Sequence, residues 1–431
     1  MKKAVFFTLG CKLNQAETAQ VRKLWESAGV AEATDGESVS PDIIFVNGCA
    51  VTQRAEAKTR HAIARLARQY PQASVIVGGC AGKADPDGLA KMPGVIAVID
   101  PKERFQTGWM ERLKDFADLP IKEVAGENEF GAISIGDRSR PFLKIQDGCD
   151  HYCSYCIIPY LRGECRSVSM NAAMGHAEAL VQAGYDEFVL TGIRIGSWGL
   201  DFPQTQHLTE LLEKMLTIPG LGRIRLGSIE PWELTPSLIR LVIEQPKLCS
   251  HLHVPLQHTH PEVLRRMGRD AVELTMKELR RAKASNIDLG LGTDIIVGFP
   301  GETDQEFQQL TEDLMALPLT YLHAFSFSER RGTKAVEMPG KISEQVKKNR
   351  AKIISDIGLK KKRNFLQSQV GKIMEVIPDH LKVGEEMVSA TADNYIKVKI
   401  PYKFASAGKS IRVVINEYDG KFLRGLPEKC E

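Results

Sequence analysis

Nothing in this sequence approaches the run of about 20 apolar residues that a membrane-crossing helix needs, so no membrane partner is expected. The opening stretch, two lysines and then Ala4-Val5-Phe6-Phe7-Thr8-Leu9, stops at Gly10 and Cys11. It reads as a first strand rather than a signal peptide. Cysteine is scarce, nine among 431 residues, which is too few for a disulfide scaffold. Their odd number and short-spaced clustering point instead to metal ligation in a reducing cytoplasm. Charge bias is nearly missing as well: the net charge of +3 says little about partners. What is present is an ordinary globular composition, 43% hydrophobic and 26% charged. The chain is long enough for roughly two to four domains with large cores.

The N-terminal part alternates strand and helix. Residues 4–9, 42–47, 74–77 and 95–99 are apolar runs of the kind that form buried parallel strands. Helical faces lie between them: Val21, Leu24, Trp25 and Ala28, stopped by Gly29, and then Ala62, Ile63, Leu66 and Ala67. The first three strands run into Gly10-Cys11, Gly48-Cys49 and Gly79-Cys80. Open α/β sheets bind ligands at the carboxyl ends of their strands. Three cysteines delivered to that edge suggest one shared metal centre, with the adjoining glycines permitting close backbone approach. Three buried structural cysteines are the plainer alternative, and the long gaps between them leave the metal unspecified.

From about residue 140 a second α/β series begins. Strands are expected at 142–146, 188–192, 224–228, 251–254, 289–297 and 321–325. Helices are expected at 171–183, 208–216, 236–243, 272–285 and 303–316. The last opens with Thr303 and Glu306 spaced as a capping box. About six β/α units fit a partial (β/α)6 barrel better than a closed eight-fold one. Directly after the first strand stands Cys149-Asp150-His151-Tyr152-Cys153-Ser154-Tyr155-Cys156, at the strand end where barrels place their chemistry. Three thiolates on one tight loop suit three irons of a [4Fe-4S] cluster, which normally takes four cysteines. The remaining iron is then open to a cofactor or substrate. Zinc is the alternative; a trio without a nearby fourth thiolate or second CxxC matches it poorly.

This CxxxCxxC, with an aromatic before its last cysteine, resembles the radical S-adenosylmethionine (SAM) superfamily. The surrounding stretch, from Lys144-Ile145-Gln146-Asp147-Gly148 to Pro159-Tyr160-Leu161-Arg162-Gly163, resembles its methylthiotransferases. So do Gly10-Cys11-Lys12-Leu13-Asn14, Val46-Asn47-Gly48-Cys49-Ala50-Val51-Thr52, Arg225-Leu226-Gly227-Ser228-Ile229-Glu230-Pro231, His251-Leu252-His253-Val254-Pro255-Leu256-Gln257 and the run from Thr293 to Thr303. The matches fall in order over nearly the whole chain. The resemblance implies two [4Fe-4S] clusters, one on Cys149, Cys153 and Cys156 that cleaves SAM to a 5′-deoxyadenosyl radical, and an auxiliary one on Cys11, Cys49 and Cys80 that offers sulfur. It also implies SAM contacts from Thr191 and Gly192, Glu230, and Gly298 and Gly301, with Asp294 and Arg330 as weaker candidates. An electron donor of the flavodoxin or ferredoxin kind is implied as well.

Three domains are expected: 1–125, an open parallel sheet with the auxiliary cluster; 135–365, the radical SAM barrel with a basic C-terminal helix; and 366–431, a small antiparallel β-barrel. Residues 341–363 hold nine Lys/Arg against two acids, a candidate phosphate track, with Val346, Ile353, Ile354 and Ile357 on the helix's apolar face. Short strands at 372–376, 381–383, 387–391, 395–400 and 410–415 build the last domain. It resembles the OB-like TRAM domain and implies RNA binding, with Tyr395, Tyr402 and Phe404 as possible contacts. Gly-Cys-Lys-Leu-Asn and Val189-Leu190-Thr191-Gly192-Ile193 look most like the branch acting on threonylcarbamoyladenosine in the tRNA anticodon stem-loop. Lys12 and Arg194 are then candidates for attracting the threonyl carboxylate. Isopentenyladenosine in tRNA, an aspartate of a ribosomal protein, and a non-enzymatic RNA-binding iron–sulfur protein are the alternatives. A cytoplasmic monomer is expected. Gly48, Cys165 and Gln257-His258-Thr259-His260 depart from the family pattern. With His251 and His253 nearby, the last raises the question of a histidine metal site, although polar pocket lining is the preferred reading. Cys249 and Cys430 are expected to be structural or exposed.

Overall fold

The computed structural model describes residues 2–27, 29–33, 40–101, 139–381 and 384–428. The expected first domain boundary, between 125 and 135, and Cys430 lie outside these residues. Five strands, β1 (Lys3–Thr8), β2 (Ala31–Glu32), β3 (Ile43–Gly48), β4 (Ser74–Gly79) and β5 (Val95–Val98), form a parallel sheet in the order β2-β1-β3-β4-β5. β3 is buried along its length and β4 over all but its first residue, as their unbroken apolar runs require. Helix α1 (Lys12–Ser27) lays Val21 and Trp25 on one face of the sheet, with Trp25 edge-on to Phe45 at 5.8 Å. On the other face lies α2 (Gln53–Gln69), which buries Ala62, Ile63 and Leu66 and is capped by Thr52.

The second domain is an open arc of six parallel strands. β6 (Phe142–Lys144), β9 (Glu187–Thr191) and β10 (Arg223–Arg225) pair in the order β10-β9-β6, and β11 (His251–His253), β12 (Gly290–Val297) and β13 (Tyr321–Ser326) form the other half. A bridge between Ser228 and His253 joins the halves. The short antiparallel pair β7 (Gln146–Asp147) and β8 (Arg166–Ser167) brackets the CxxxCxxC loop. Helix Asp304–Ala316 carries the expected capping box of Thr303 and Glu306.

The basic helix, Glu344–Gln367, packs differently from its apolar pattern. Val346 and Ile353 are exposed, whereas Lys347, Arg350, Ile354 and Gly358 are buried. The docking face is polar because Arg350 pairs with Glu302 at 2.8 Å and Asp304 at 2.7 Å. Lys361 donates to the carbonyls of Met315 and Leu317. Arg350 and Lys361 are thus spent on the barrel, whereas Lys341, Lys348, Lys352, Lys360, Lys362 and Arg363 remain exposed.

β14 (Ile373–Pro378), β15 (Met387–Ala392), β16 (Lys397–Pro401), β17 (Ile411–Tyr418) and β18 (Leu423–Pro427) close into a small barrel, order β14-β15-β16-β18-β17. Its pairings are antiparallel except β16 with β18. The closing strand is β18. The segment expected at 381–383 falls largely outside the described residues. Leu-Arg-Gly-Leu-Pro carries no β-branched or aromatic residue, so propensity gave no sign of it.

Candidate active site

β1, β3 and β4 are neighbours, so Cys11, Cys49 and Cys80 stand at adjacent strand ends. The glycines beside them are required by packing. A Cβ on Gly10 would lie 2.9 Å from Cys49 Cβ, and one on Gly48 would lie 2.7 Å from Ala81 Cβ. Asn14 threads the edge: its Nδ2 donates to Leu9 O at 2.9 Å and Gly48 O at 3.3 Å. Thr59 accepts from Cys49 N at 3.2 Å and donates to Cys49 O at 3.0 Å. Burial raises the Cys11 thiol and pushes Cys49 up to about 11. These sulfurs resist ionisation until a metal centre compensates their charge.

In the barrel, Gly148 at φ +72° turns the chain from β7 into the CxxxCxxC loop. Cys149 N donates to Gly163 O at 2.9 Å, and Ser154 N to Met267 O at 2.8 Å. Burial raises Cys149 and Cys153 and pushes Cys156 up to about 12. Arg269 bridges Glu230, at 2.6 Å, and the Cys153 sulfur, at 3.8 Å. It lies over Trp232, on whose ring His151 stacks at 4.1 Å. Among the described residues, only His253, Asp294 and His323 bring three ligand atoms within 4.8 Å of one another. Three thiolates in each trio suit three irons of a [4Fe-4S] cluster, leaving the fourth iron open.

Cys11 of the first trio opens onto a cavity of about 640 Å³, lined also by Gly10 and Lys12 of the first domain, by Thr191, Gly192, Ser228, His253, Asp294 and His323 of the barrel, and by Tyr395 of the third domain. Asp294 accepts from His323 at 3.0 Å and lies 3.3 Å from His253. Burial opposes its charge, but these histidines hold its carboxyl well below the usual range. Tyr395, at φ +71°, reaches in from the β15–β16 turn and packs 4.6 Å from His251 and 5.6 Å from the Lys12 ammonium. Among the described residues, that ammonium has no ion pair.

Other expected residues fall elsewhere. Arg194 does not join Lys12: its guanidinium is held by Glu233 and Asp150, at 2.8 and 2.7 Å. The Gly298 N–H donates to Glu302 and the Gly301 N–H to Gly340 O. The first bond lies within the strand-to-helix turn, and the second ties that turn to the segment before helix Glu344–Gln367. Arg330 pairs with Glu56 across the domain boundary at 2.9 Å. His258 is buried and His260 caps a helix, so the four sequence-neighbouring histidines do not meet. Cys165 contacts Gln146 and Ser197, and Cys249 is buried. Sequence reasoning missed Arg162, Arg269 and His323. Arg162 stands inside a motif, whereas the other two gave no local signal.

A parallel-strand arc bearing CxxxCxxC at its first strand end defines a radical SAM enzyme, and the model of that superfamily matches residues 143–314. Residues 3–100 match the model described as Uncharacterized protein family UPF0004. The Threonylcarbamoyladenosine tRNA methylthiotransferase MtaB of Bacillus subtilis is 33% identical over 100% of this chain and 98% of its own. Its namesake in Aquifex aeolicus is 32% identical over 96% and 100%. The Ribosomal protein uS12 methylthiotransferase RimO of Carboxydothermus hydrogenoformans is 30% identical over 98% and 99%. The chain belongs to the radical SAM methylthiotransferase family, in its MtaB-like branch. Among solved structures, the radical SAM methyltransferase TsrM from Kitasatospora setae aligns with a TM-score of 0.55 at 17% identity, over 78% of this chain and 77% of that one, a likeness of fold alone. No helix among the described residues is long and apolar enough to cross a membrane.

Proposed function

We propose that this enzyme methylthiolates C2 of N6-threonylcarbamoyladenosine beside the anticodon of tRNA, in the cytoplasm, with electrons from a flavodoxin- or ferredoxin-type donor. The observation that carries this reading is the cavity that residues of all three domains line: it places Cys11 of one trio, barrel strand ends and Tyr395 of the small barrel around one space of nucleobase size. Cys149, Cys153 and Cys156 are the ligands of the SAM-cleaving cluster, and Cys11, Cys49 and Cys80 those of the auxiliary cluster. When bound, these groups supply a 5′-deoxyadenosyl radical on one side and sulfur on the other.

The chain's own residues bind, orient and shield. Thr191, Gly192 and Glu230 stand at barrel strand ends for SAM, with Arg269 fixing the Glu230 carboxylate. Tyr395 floors the cavity, and His253, Asp294 and His323 form its polar wall. Lys12 offers the threonyl carboxylate a half-buried cation that no protein carboxylate has claimed among the described residues. The working domain division is 1–125, 135–365 and 366–431. In the last, Phe404 and Phe422, each with a lysine over its ring at 4.9 and 5.0 Å, suit single-stranded RNA through stacking and charge.

Anaerobic reconstitution with SAM, reductant and threonylcarbamoylated anticodon stem-loop, followed by nucleoside mass spectrometry, tests this. A gain of one methylthio group on threonylcarbamoyladenosine is expected. Modification of a ribosomal protein instead, by fully loaded enzyme, would overturn it.

A further inference from the structure

Arg162 ends the helix Ile158–Arg162, just beyond the CxxxCxxC loop, and its side chain is buried. It leaves the barrel and enters the first domain. Nη1 donates to Glu17 Oε1 at 2.8 Å and to both Asp147 oxygens at 3.0 and 3.1 Å. Nη2 donates to Asn14 Oδ1 at 2.9 Å and Glu17 Oε2 at 3.2 Å. Nε donates to Cys80 Sγ at 3.3 Å. Lys144 completes the set, 3.1 Å from Glu17 and 2.8 Å from Asp147.

Two cations thus meet two carboxylates, and the ion pairs balance without the sulfur. A plain interdomain tie would need only Glu17, and buried ion pairs are a poor source of stability. The Nε–H is aimed at sulfur in addition. Only a guanidinium has the donors to do all three at once.

The same segment steadies the other trio. Gly163 O accepts the Cys149 amide at 2.9 Å, and Asp147 Oδ1 accepts the Gly148 amide at 2.7 Å. Asn14, held by Nη2, is the residue that threads the ends of β1 and β3. Arg162 therefore touches both trios through at most one intervening residue. We infer that Arg162 is a positioning residue that sets the reduction potential of the auxiliary centre by a charged hydrogen bond to the Cys80 sulfur and fixes that sulfur against the Cys149 loop. The inference rests on assigning Cys11, Cys49 and Cys80 as cluster ligands. Hydrogen bonds to cluster sulfurs tune potential, and a buried cation favours the reduced, more negative state.

The test uses the full chain with Cys149, Cys153 and Cys156 changed to alanine, so that any cluster signal belongs to the auxiliary site. EPR-monitored redox titration is run on this parent, on Arg162→Lys, and on the charge-balanced pair Glu17→Gln with Arg162→Gln. At a poise near the parent's midpoint, the pair is expected to show a roughly tenfold lower ratio of reduced to oxidised cluster, and the lysine variant an intermediate one. Iron and sulfide content should be unchanged. Equal potentials in parent and variants with intact clusters would overturn the inference. If the pair does not fold, the lysine variant alone decides by the same criterion. A parent that takes up no iron–sulfur cluster would overturn the ligand assignment itself, a different result from equal potentials.

Discussion

At the scale of single residues, Lys12 carries the substrate argument. Burial, with Arg225 and Arg140 nearby, pulls its ammonium down to about 8, the mark of a cation short of counter-charge. Lys12→Met should raise KM for a threonylcarbamoylated stem-loop roughly tenfold or more, a charged hydrogen bond being worth about 1.5–3 kcal/mol. It should leave RNA-independent SAM cleavage unchanged. Kinetics on stem-loops with and without the threonylcarbamoyl group measure this; equal loss on both would assign Lys12 to folding. His258 gives a stability prediction. Burial, helped by His260, pushes its imidazole down to about 3, against about 6.5 when unfolded. Between those values the unfolded chain binds a proton that the folded chain refuses, so stability falls as pH drops through that window. At pH 5 the loss is about 2 kcal/mol relative to neutral pH. Urea midpoints at the two pH values should show a smaller drop in His258→Gln; the same drop would place the sensitivity elsewhere. The grouping of the six cysteines was legible in the sequence because strand ends and loop spacing announce it, whereas Lys12 was singled out by its charge and motif position. Arg162 as a partner of Glu17 was not, since 145 residues separate the two.

At the scale of elements, the strand ends are shaped by what their neighbours leave room for. Gly48 stands where a side chain has no room. A Cβ there would lie 2.6 Å from Thr59 Cγ2 and 2.7 Å from Ala81 Cβ, while the Thr59 hydroxyl already ties both backbone groups of Cys49. Gly48→Thr should therefore cost about 1–3 kcal/mol by overpacking and lower the yield of reconstituted iron. Adding Thr59→Ser, which removes Cγ2 but keeps the hydroxyl, should restore part of the loss. Chemical unfolding of the metal-free proteins separates these outcomes, and a Gly48→Thr variant as stable as its parent would show that α3 (Cys80–Ala84) gives way. Apolar periodicity located β1, β3, β4 and β5, the six barrel strands and the longer helices of the first two domains, but not β2, β8 or short helices such as Pro261–Met267. It misread the face of helix Glu344–Gln367, because periodicity registers apolar burial and this face is buried through Arg350, Glu302 and the close approach of Gly358 to Leu322.

At the scale of the whole molecule, the order of domains could be read from the chain but their joint could not. The joint is a buried carboxylate, Glu187, at the start of β9. It holds Arg223 at 2.6 Å and Arg225 at 2.7 Å. Burial would raise its carboxyl, yet the two arginines hold it well below the usual range. They in turn donate to backbone carbonyls of the third domain: Arg223 to Glu375 O at 3.0 Å, and Arg225 to Ala392 O and Asp393 O, both at 2.8 Å. Those last carbonyls belong to the turn that carries Tyr395 into the cavity, so the clamp that seats the small barrel also floors the active site. Glu187→Gln leaves two buried guanidiniums without their counter-charge, a change that costs about 3–5 kcal/mol when a buried pair is broken. The weakest joint should yield first. Limited proteolysis is expected to cut between helix Glu344–Gln367 and β14 faster than in the parent, and methylthiolation to fall while SAM cleavage persists. If cleavage stays at the parent's rate and only global stability drops, the arginines serve the barrel alone, and Tyr395 is held in place by its own packing against His251.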